Sequence, residues 1–517
     1  MHDKPLFPRR SRMQKTGLIL GPFLFLITIL FLDLAPDNPM TTRMAAVAVL
    51  MAVWWITDAI PLYATALLPM VLYPLLGILD GRSTAPIYAN SIIFLFLGGF
   101  LIALAMEKWG LHKRIALFII RRVGGGPARI ILGFMIAGAF LSMWISNTAT
   151  AIMMVPIGMA IVLQMESRFE RKETHNFTLG LMLGIAYSCS IGGMATLVGT
   201  PPNLAFASIF EISFPQAEPI AFGSWFVMAL PISIVMLAVV WLMLTRVFFR
   251  MPGHLTLDRA IVDREYEELG PPSYEERIVL AIFSLTALLW VFRSPLHLGS
   301  VTIPGWSQLM PHPEMMDDGT VALFMALLLF LIPSRSDDAD SPAIMDAGGV
   351  MRLPWGIVLL FGGGFALAKG FQVSGLSDQI GSSFGALADF HPLGMVGLVC
   401  MTLTFLTEVT SNTATTQMIL PILASLSVDM QVNPLLLMIP ATLSASCAFM
   451  MPVATPPNAI VFGSGRIRIH EMARVGIVIN LVGVVLIATL FYILGPAILD
   501  IDLGSVPDWA VQAGPGG

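Results

Sequence analysis

The sequence predicts an all-α, polytopic membrane protein with about eleven transmembrane helices and two re-entrant hairpins, arranged as an inverted-topology repeat. Three observations carry this expectation. The 517 residues are 56% hydrophobic and only 12% charged, where soluble domains hold about 45–50% apolar and about 25% charged residues. Mean hydropathy is +0.81, with the apolar residues gathered in long runs between short charged loops. Polar and Pro-rich clusters inside those runs occur twice. Half the usual charge cannot clothe a soluble particle this large, so the solvent for most of the chain is the lipid bilayer. A cytosolic enzyme, a secreted domain and a nucleic-acid binder are excluded. The net charge of −5 carries no message about partners.

Cys189, Cys400 and Cys447 lie in apolar stretches without a CxxC pair, which fits buried small hydrophobes rather than a disulfide framework or a zinc site. A Gly-rich phosphate loop, HExxH and GxSxG are all missing, which argues against the membrane enzymes built on them.

Residues 1–16 carry Lys4, Arg9, Arg10, Arg12 and Lys15 ahead of an apolar run from 17 to 32. No small-residue cleavage site follows and Pro22 interrupts the run, so it reads as a first transmembrane helix rather than a signal peptide. Further apolar segments fall near 43–57, 60–78, 89–107, 222–248, 276–293, 320–333, 354–369 and 473–498, some shorter than the ~20 residues of a perpendicular span. The regions 130–212 and 396–463 are broken by polar and Pro-rich clusters.

Basic residues set sidedness. Arg121, Arg122 and Arg129, then Arg168, Arg171 and Lys172, then Arg246, Arg250, Arg259 and Arg264, then Arg466, Arg468 and Arg474 are expected on the cytoplasmic side with the N-terminus. The loop 294–319, with Glu314, Asp317 and Asp318, and the tail after Asp500 hold almost no positive charge. They are expected outside, in a plasma or inner membrane. Eleven spans and two hairpins satisfy every loop.

The repeat is explicit. LFLGGF at 95–100 answers LFGGGF at 360–365, and SNTAT at 146–150 recurs at 411–415, both at an offset of 265. Ser142 and Thr407, and Pro156 and Pro421, keep that offset. Thr200-Pro201-Pro202-Asn203 answers Thr455-Pro456-Pro457-Asn458 at 255, the difference being taken up in the charged loop near 166–176. Five spans plus a hairpin in each half put the second half upside down, with binding expected between the halves near the membrane midplane.

Three polar residues deep in an apolar region, such as Ser146-Asn147-Thr148, read as a hairpin tip, because irregular backbone at that depth must be buried in protein or line an aqueous cavity. Ser and Asn are good N-caps, so a helix begins there. Its free N–H groups and positive dipole end make an anion site. The Pro pairs break their helix and free carbonyls upstream. Those carbonyls, the Asn147 side-chain oxygen and the Ser142 and Ser146 hydroxyls are hard ligands suited to a small cation, and sodium fits them better than a transition metal.

Intramembrane charges are functional candidates by default. Asp58, next to Pro61 at a turn, reads as a membrane-edge carboxylate. Glu107 and Lys108 read as snorkelling at a span end, and Lys369 as ending its own span. Glu408, three residues before Ser411, is expected to form a salt bridge at the hairpin entrance, with proton carriage or tuning of a cation site as alternatives.

On these residues the sequence resembles the divalent anion/sodium symporter family, whose hallmark is the paired SNT motif. The stretch SCAFMMPVATPPNAIV at 446–461 matches that family's signature, and Ile56-Thr57-Asp58-Ala59-Ile60-Pro61, followed by Thr65-Ala66-Leu67-Leu68-Pro69, resembles its early spans. The similarity runs from about 17 to 498. It implies that Ser146, Asn147 and Thr148 with Ser411, Asn412 and Thr413 contact the substrate carboxylates, beside Thr200-Pro201 and Thr455-Pro456. It implies at least two sodium sites. One is made by Ser142, Ser146 and Asn147 with the Gly199 carbonyl, the other by Thr407 and Asn412 with the carbonyls of Thr410 and Ala454. It also implies a homodimer in which a transport domain (127–248 and 392–498) moves as an elevator against a scaffold (17–126 and 276–391), with 249–275 as a cytoplasmic linker and 499–517 as an extracytoplasmic tail.

No Lys, Arg or His falls within 142–150, 196–204 or 407–416, which favours sodium symport of a flexible C4-dicarboxylate such as succinate, malate or fumarate over citrate. Sulfate stays open. The alternatives are a sodium-independent exchanger, a proton-coupled permease using Glu408 and, from another class, a channel or receptor. An enzyme is not expected, since no nucleophile–base pair appears.

Overall fold

The structure is a computed structural model that describes residues 10–123, 125–251, 260–298, 301–336, 342–382 and 391–511. Among them, seven helices are long and apolar enough to cross a membrane, including Arg12–Phe31, Pro39–Thr57, Asn147–Arg168, Trp355–Ser374 and Ile469–Leu499. Shorter apolar helices accompany them at Pro127–Ser142, Asp318–Leu331, Pro392–Leu406 and Leu435–Ala445.

Arg12–Phe31 begins at a Ser11/Gln14 capping box and runs through Pro22 without a break. It packs on Pro39–Thr57 at Gly17 and Gly21, where a Cβ would strike Thr57 and Trp54, and the Trp54 Nε1–H donates to the Gly17 carbonyl at 3.1 Å. The apolar stretch 60–78, expected as one segment, is instead two short helices, Leu62–Thr65 and Leu68–Leu76. Pro61 sits ahead of the first and Pro69 at the start of the second, positions where a ring without an N–H opens a helix rather than continuing one. Both pieces pack on Trp355–Ser374, and the Tyr73 hydroxyl donates to the Ala366 carbonyl at 2.7 Å. A two-stranded antiparallel ribbon, Leu296–Leu298 with Val301–Ile303, is a small addition to the all-α expectation.

Buried charge ties the outer helices together. Arg114 donates to both Glu276 oxygens at 2.9 Å and to the carbonyls of Leu269 and Gly270, a bidentate pairing that fixes geometry as well as charge. Asp318 accepts from Arg293 at 2.5 Å and from the Phe222 N–H at 2.9 Å. Lys108, expected to snorkel, pairs with Asp346 at 2.7 Å, and its ammonium holds that carboxyl below its ordinary value. The loop carrying Asp346 folds back over the helix end, so the amine finds a protein partner before it reaches headgroups. Lys369 lies inside Trp355–Ser374 rather than at its end and donates to Gln372 at 2.7 Å.

The two duplicated regions share one element order. The first runs Pro127–Ser142, Asn147–Arg168, Arg171–Gly193, an irregular stretch, Pro201–Ser213 and Phe222–Leu242. The second runs Pro392–Leu406, Asn412–Asp429, Leu435–Ala445, an irregular stretch, Pro456–Gly463 and Ile469–Leu499. The halves interlock, because Pro201–Ser213 packs on Asn412–Asp429 and Pro456–Gly463 packs on Asn147–Arg168. Each Pro-pair helix therefore lies against the tip helix of the other half.

Candidate binding site

The two SNT helix starts form where the sequence places them. Ser146 N-caps Asn147–Arg168, its hydroxyl accepting from the Ala149 N–H at 3.1 Å. Ser411 N-caps Asn412–Asp429 in the same way, accepting from Ala414 at 3.5 Å. A cap satisfies only part of a helix start, so the remaining N–H groups and the positive dipole end stay available at each tip.

The Pro pairs open helices rather than merely kinking them. Thr200 and Thr455 are N-caps in extended conformation, with the first proline of each pair at the first helical position. The backbone upstream, 194–200 and 446–455, is non-helical. Its carbonyls are held by one asparagine from each TPPN cluster. Asn203 Nδ2 donates to the carbonyls of Gly193, Met194 and Thr196 at 3.2, 3.4 and 2.7 Å. Asn458 Nδ2 donates to those of Ala448 and Met451 at 2.9 and 3.0 Å.

Both tips and both Pro pairs line one cavity of about 680 Å³. All ten expected substrate contacts, Ser146, Asn147, Thr148, Thr200, Pro201, Ser411, Asn412, Thr413, Thr455 and Pro456, are on its wall. Ser11, Met13, Gln14, Thr57 and Asp58 line it too, so the wall extends to the start of the first helix and the end of the second. Asp58 is thus a cavity residue, the left-handed C-cap of Pro39–Thr57. It is the one charged side chain among the described residues of the wall.

The expected cation ligands gather on the same wall. Gly199, Thr410 and Ala454 line the cavity with the two tip asparagines, while Ser142 and Thr407 are fully buried behind it. In the first half, a Cβ at Gly193 would lie 2.9 Å from Asn147 Oδ1 and 3.1 Å from the Gly199 carbonyl. The two proposed ligand oxygens therefore converge on a space that a side chain would fill. Asn147 Oδ1 and the Ser142 hydroxyl are buried without a hydrogen-bond partner, a costly condition that a bound cation relieves. In the second half, the Thr407 hydroxyl lies 2.5 Å from Asn412 Oδ1 and 3.0 Å from the Ala445 carbonyl. The donors are hydroxyl, amide and carbonyl oxygens, the set that a hard ion prefers. No cluster of His, Cys, Asp and Glu that could hold a metal occurs among the described residues.

Glu408 departs from expectation. It makes no salt bridge among the described residues. Its Oε1 accepts from the Phe449 and Met450 N–H groups at 2.7 and 2.8 Å and from Asn480 Nδ2 at 2.7 Å, and its Oε2 accepts from Met451 at 3.0 Å. Four donors from the irregular stretch and a neighbouring helix take the place of a cation. Sequence reasoning had no signal for this, because the partners are three backbone groups 41 to 43 residues away and a side chain 72 residues away. The roles of Asn203 and Asn458 were also missed, although their place in a duplicated motif was the available clue.

A helical membrane chain with a duplicated, oxygen-lined midchain cavity defines a polytopic carrier. The profile described as "Sodium:sulfate symporter transmembrane region" matches residues 16–499, and the chain belongs to this family. It is 43% identical over 502 residues to the sodium-dependent dicarboxylate transporter SdcS of Staphylococcus saprophyticus, covering 95% of this chain and 93% of that one. It is 44% identical over 503 residues to SdcS of Staphylococcus aureus strain MRSA252, with the same coverage. Among solved structures, the fold is similar to the YdaH transporter of Alcanivorax borkumensis, with a TM-score of 0.58, 13% identity and coverage of 94% of this chain and 100% of that one. It is similar also to MtrF of Neisseria gonorrhoeae, with a TM-score of 0.56, 12% identity and coverage of 96% and 100%.

Proposed function

We propose that this protein is a secondary transporter that couples the inward movement of a C4-dicarboxylate to sodium. The observation that carries this reading is the single cavity holding both SNT tips and both Pro pairs, with no Lys, Arg or His on its described wall. The tip helices supply N–H groups for the two carboxylates. Two oxygen cages, Ser142, Ser146, Asn147 and Gly199 in one half and Thr407, Thr410, Asn412 and Ala454 in the other, hold at least two sodium ions beside them. Relatives named as sodium-dependent dicarboxylate transporters at 43 and 44% identity support the choice of ion and substrate.

The finer architecture belongs to the same proposal. Eleven spans and two re-entrant hairpins lie in inverted repeat, in a homodimer of the cell membrane. Residues 127–248 and 392–498 move as a transport domain against 17–126 and 276–391. Residues 1–16 and 249–275 are cytoplasmic and 499–517 extracytoplasmic. A proton-coupled permease using Glu408 is disfavoured, because that carboxylate already accepts four hydrogen bonds. Uptake of labelled succinate into proteoliposomes tests the proposal. An inward sodium gradient should drive uptake, and equal uptake in choline buffer would replace symport by exchange.

A further inference from the structure

The two cages need carbonyls that point away from a helix axis and stay there. A helix that stops at Gly193 leaves its last carbonyls without intrahelical partners, and those groups must be fixed by something else. The Asn203 amide does this. It is fully buried, sits in the first turn of Pro201–Ser213, and reaches back ten residues to Gly193 and seven to Thr196. Asn458 is also fully buried and reaches back ten residues to Ala448 and seven to Met451. The same spans recur at the same places in both halves.

The orientation of both amides is set by what surrounds them. Turning either over would aim an oxygen at two or three carbonyl oxygens, so nitrogen must face the irregular stretch. Oδ1 of Asn203 and Oδ1 of Asn458 are buried and unpartnered. The donors are what the site uses, and the acceptor is left unsatisfied to obtain them. The carbonyl that Asn203 fixes belongs to Gly193, the residue around which Asn147 Oδ1 and the Gly199 carbonyl converge.

We propose that Asn203 and Asn458 are positioning residues for the two cation sites, each acting on its own half. Neither is a ligand, because the atoms that face the irregular stretches are N–H donors. Each locks the carbonyls at the helix end so that Gly199 in one half and Ala454 in the other present their oxygens to sodium. The inference rests on the cation sites proposed above.

The test is sodium titration of full-length protein, by sodium-induced thermal stabilisation and by succinate uptake. Asn203→Asp and Asn458→Asp keep the shape and replace donors by an acceptor. Each should raise half-saturating sodium about tenfold, the size of one lost hydrogen bond, and lower the Hill coefficient from about two towards one. The succinate KM at saturating sodium should change by less than about twofold. If the Asp variants do not fold, Asn203→Ser and Asn458→Ser, which keep one donor, should shift sodium dependence in the same direction by less. Unchanged sodium dependence in a folded variant, or equal shifts in sodium and succinate constants, overturns the inference while leaving the sodium sites standing. A wild-type protein without sodium dependence removes the sites themselves and the inference with them.

Discussion

Asn480 donates to Glu408 across a buried 2.7 Å hydrogen bond, and the residue of the first half at the position matching Glu408 is Met143. The first half does the same job without charge. Trp225 Nε1 donates directly to the Met194 carbonyl at 3.1 Å, and the Thr196 hydroxyl donates to the Met143 carbonyl at 2.5 Å. In the second half a carboxylate gathers three consecutive backbone N–H groups instead. Beyond the matching Asn203 and Asn458 contacts, the duplicated stretches that carry Gly199 and Ala454 are therefore held by unlike means.

Glu408→Gln should cost about 1–3 kcal/mol of stability, the range for a buried group left facing a wrong partner. An amide turned to keep Oε1 on Phe449, Met450 and Asn480 presents an NH₂ to the Met451 N–H. Melting temperature measured without sodium checks this. A variant that melts with wild type would mean the carboxylate is not what holds residues 449–451.

Asn147→Ala and Asn412→Ala should each abolish succinate uptake while leaving a folded protein. Each amide lines the cavity and is proposed to serve both cation and anion, and losing a hydrogen bond to a charged group costs about 1.5–3 kcal/mol. Uptake at the wild-type rate by either purified variant would take the SNT motif out of the mechanism.

Gly193→Ala should weaken sodium binding in the first half by itself. Its Cβ would stand 2.9 Å from Asn147 Oδ1 and 3.1 Å from the Gly199 carbonyl, inside the space assigned to the ion. The matching residue of the second half is Ala448, so the two cages are not copies. Ala448→Gly should leave sodium affinity near wild type. Titrations of the pair that gave the same constant would show that the Gly193 space is not the cation's.

Gln417 provides a probe of the movement proposed between the two domains. It is fully buried with both amide atoms unpartnered, lying over Gly364, where a Cβ would come within 2.7 Å of its Oε1. A buried amide without partners is expensive, and it makes sense when another conformation satisfies it. Gln417→Met, similar in volume and apolar, should raise the melting temperature and slow succinate turnover by favouring the present state. Turnover and melting point both equal to wild type would mean that this contact does not change during transport.

Much of this was legible in the sequence, for physical reasons. Helix starts at Ser146 and Ser411 follow from local capping chemistry, and the Pro pairs announce helix openings because proline acts on its own backbone. Duplication supplied the rest, since two clusters with the same neighbours point to one site. What stayed hidden depends on distant contacts. The Glu408 carboxylate and its backbone donors lie 41 to 43 residues apart, and Asp58 faces the cavity only because Pro39–Thr57 ends beside it. Hydropathy registers the apolar length of the stretch 60–78, whereas Pro61 ahead of one short helix and Pro69 at the start of the next divide it.

The central claim is that sodium makes the anion site. A dianion entering a cavity with no Lys, Arg or His on its described wall meets two helix ends worth about half a positive charge each, which leaves it under-compensated. Burying uncompensated charge is costly, so sodium must bind first or together with it. Reciprocity then requires succinate to tighten sodium by the same factor. Calorimetric titration of purified protein with succinate, at high and at near-zero sodium, measures this most directly. The account predicts tight binding at high sodium and little or none at near-zero sodium. Equal affinity in both would contradict it.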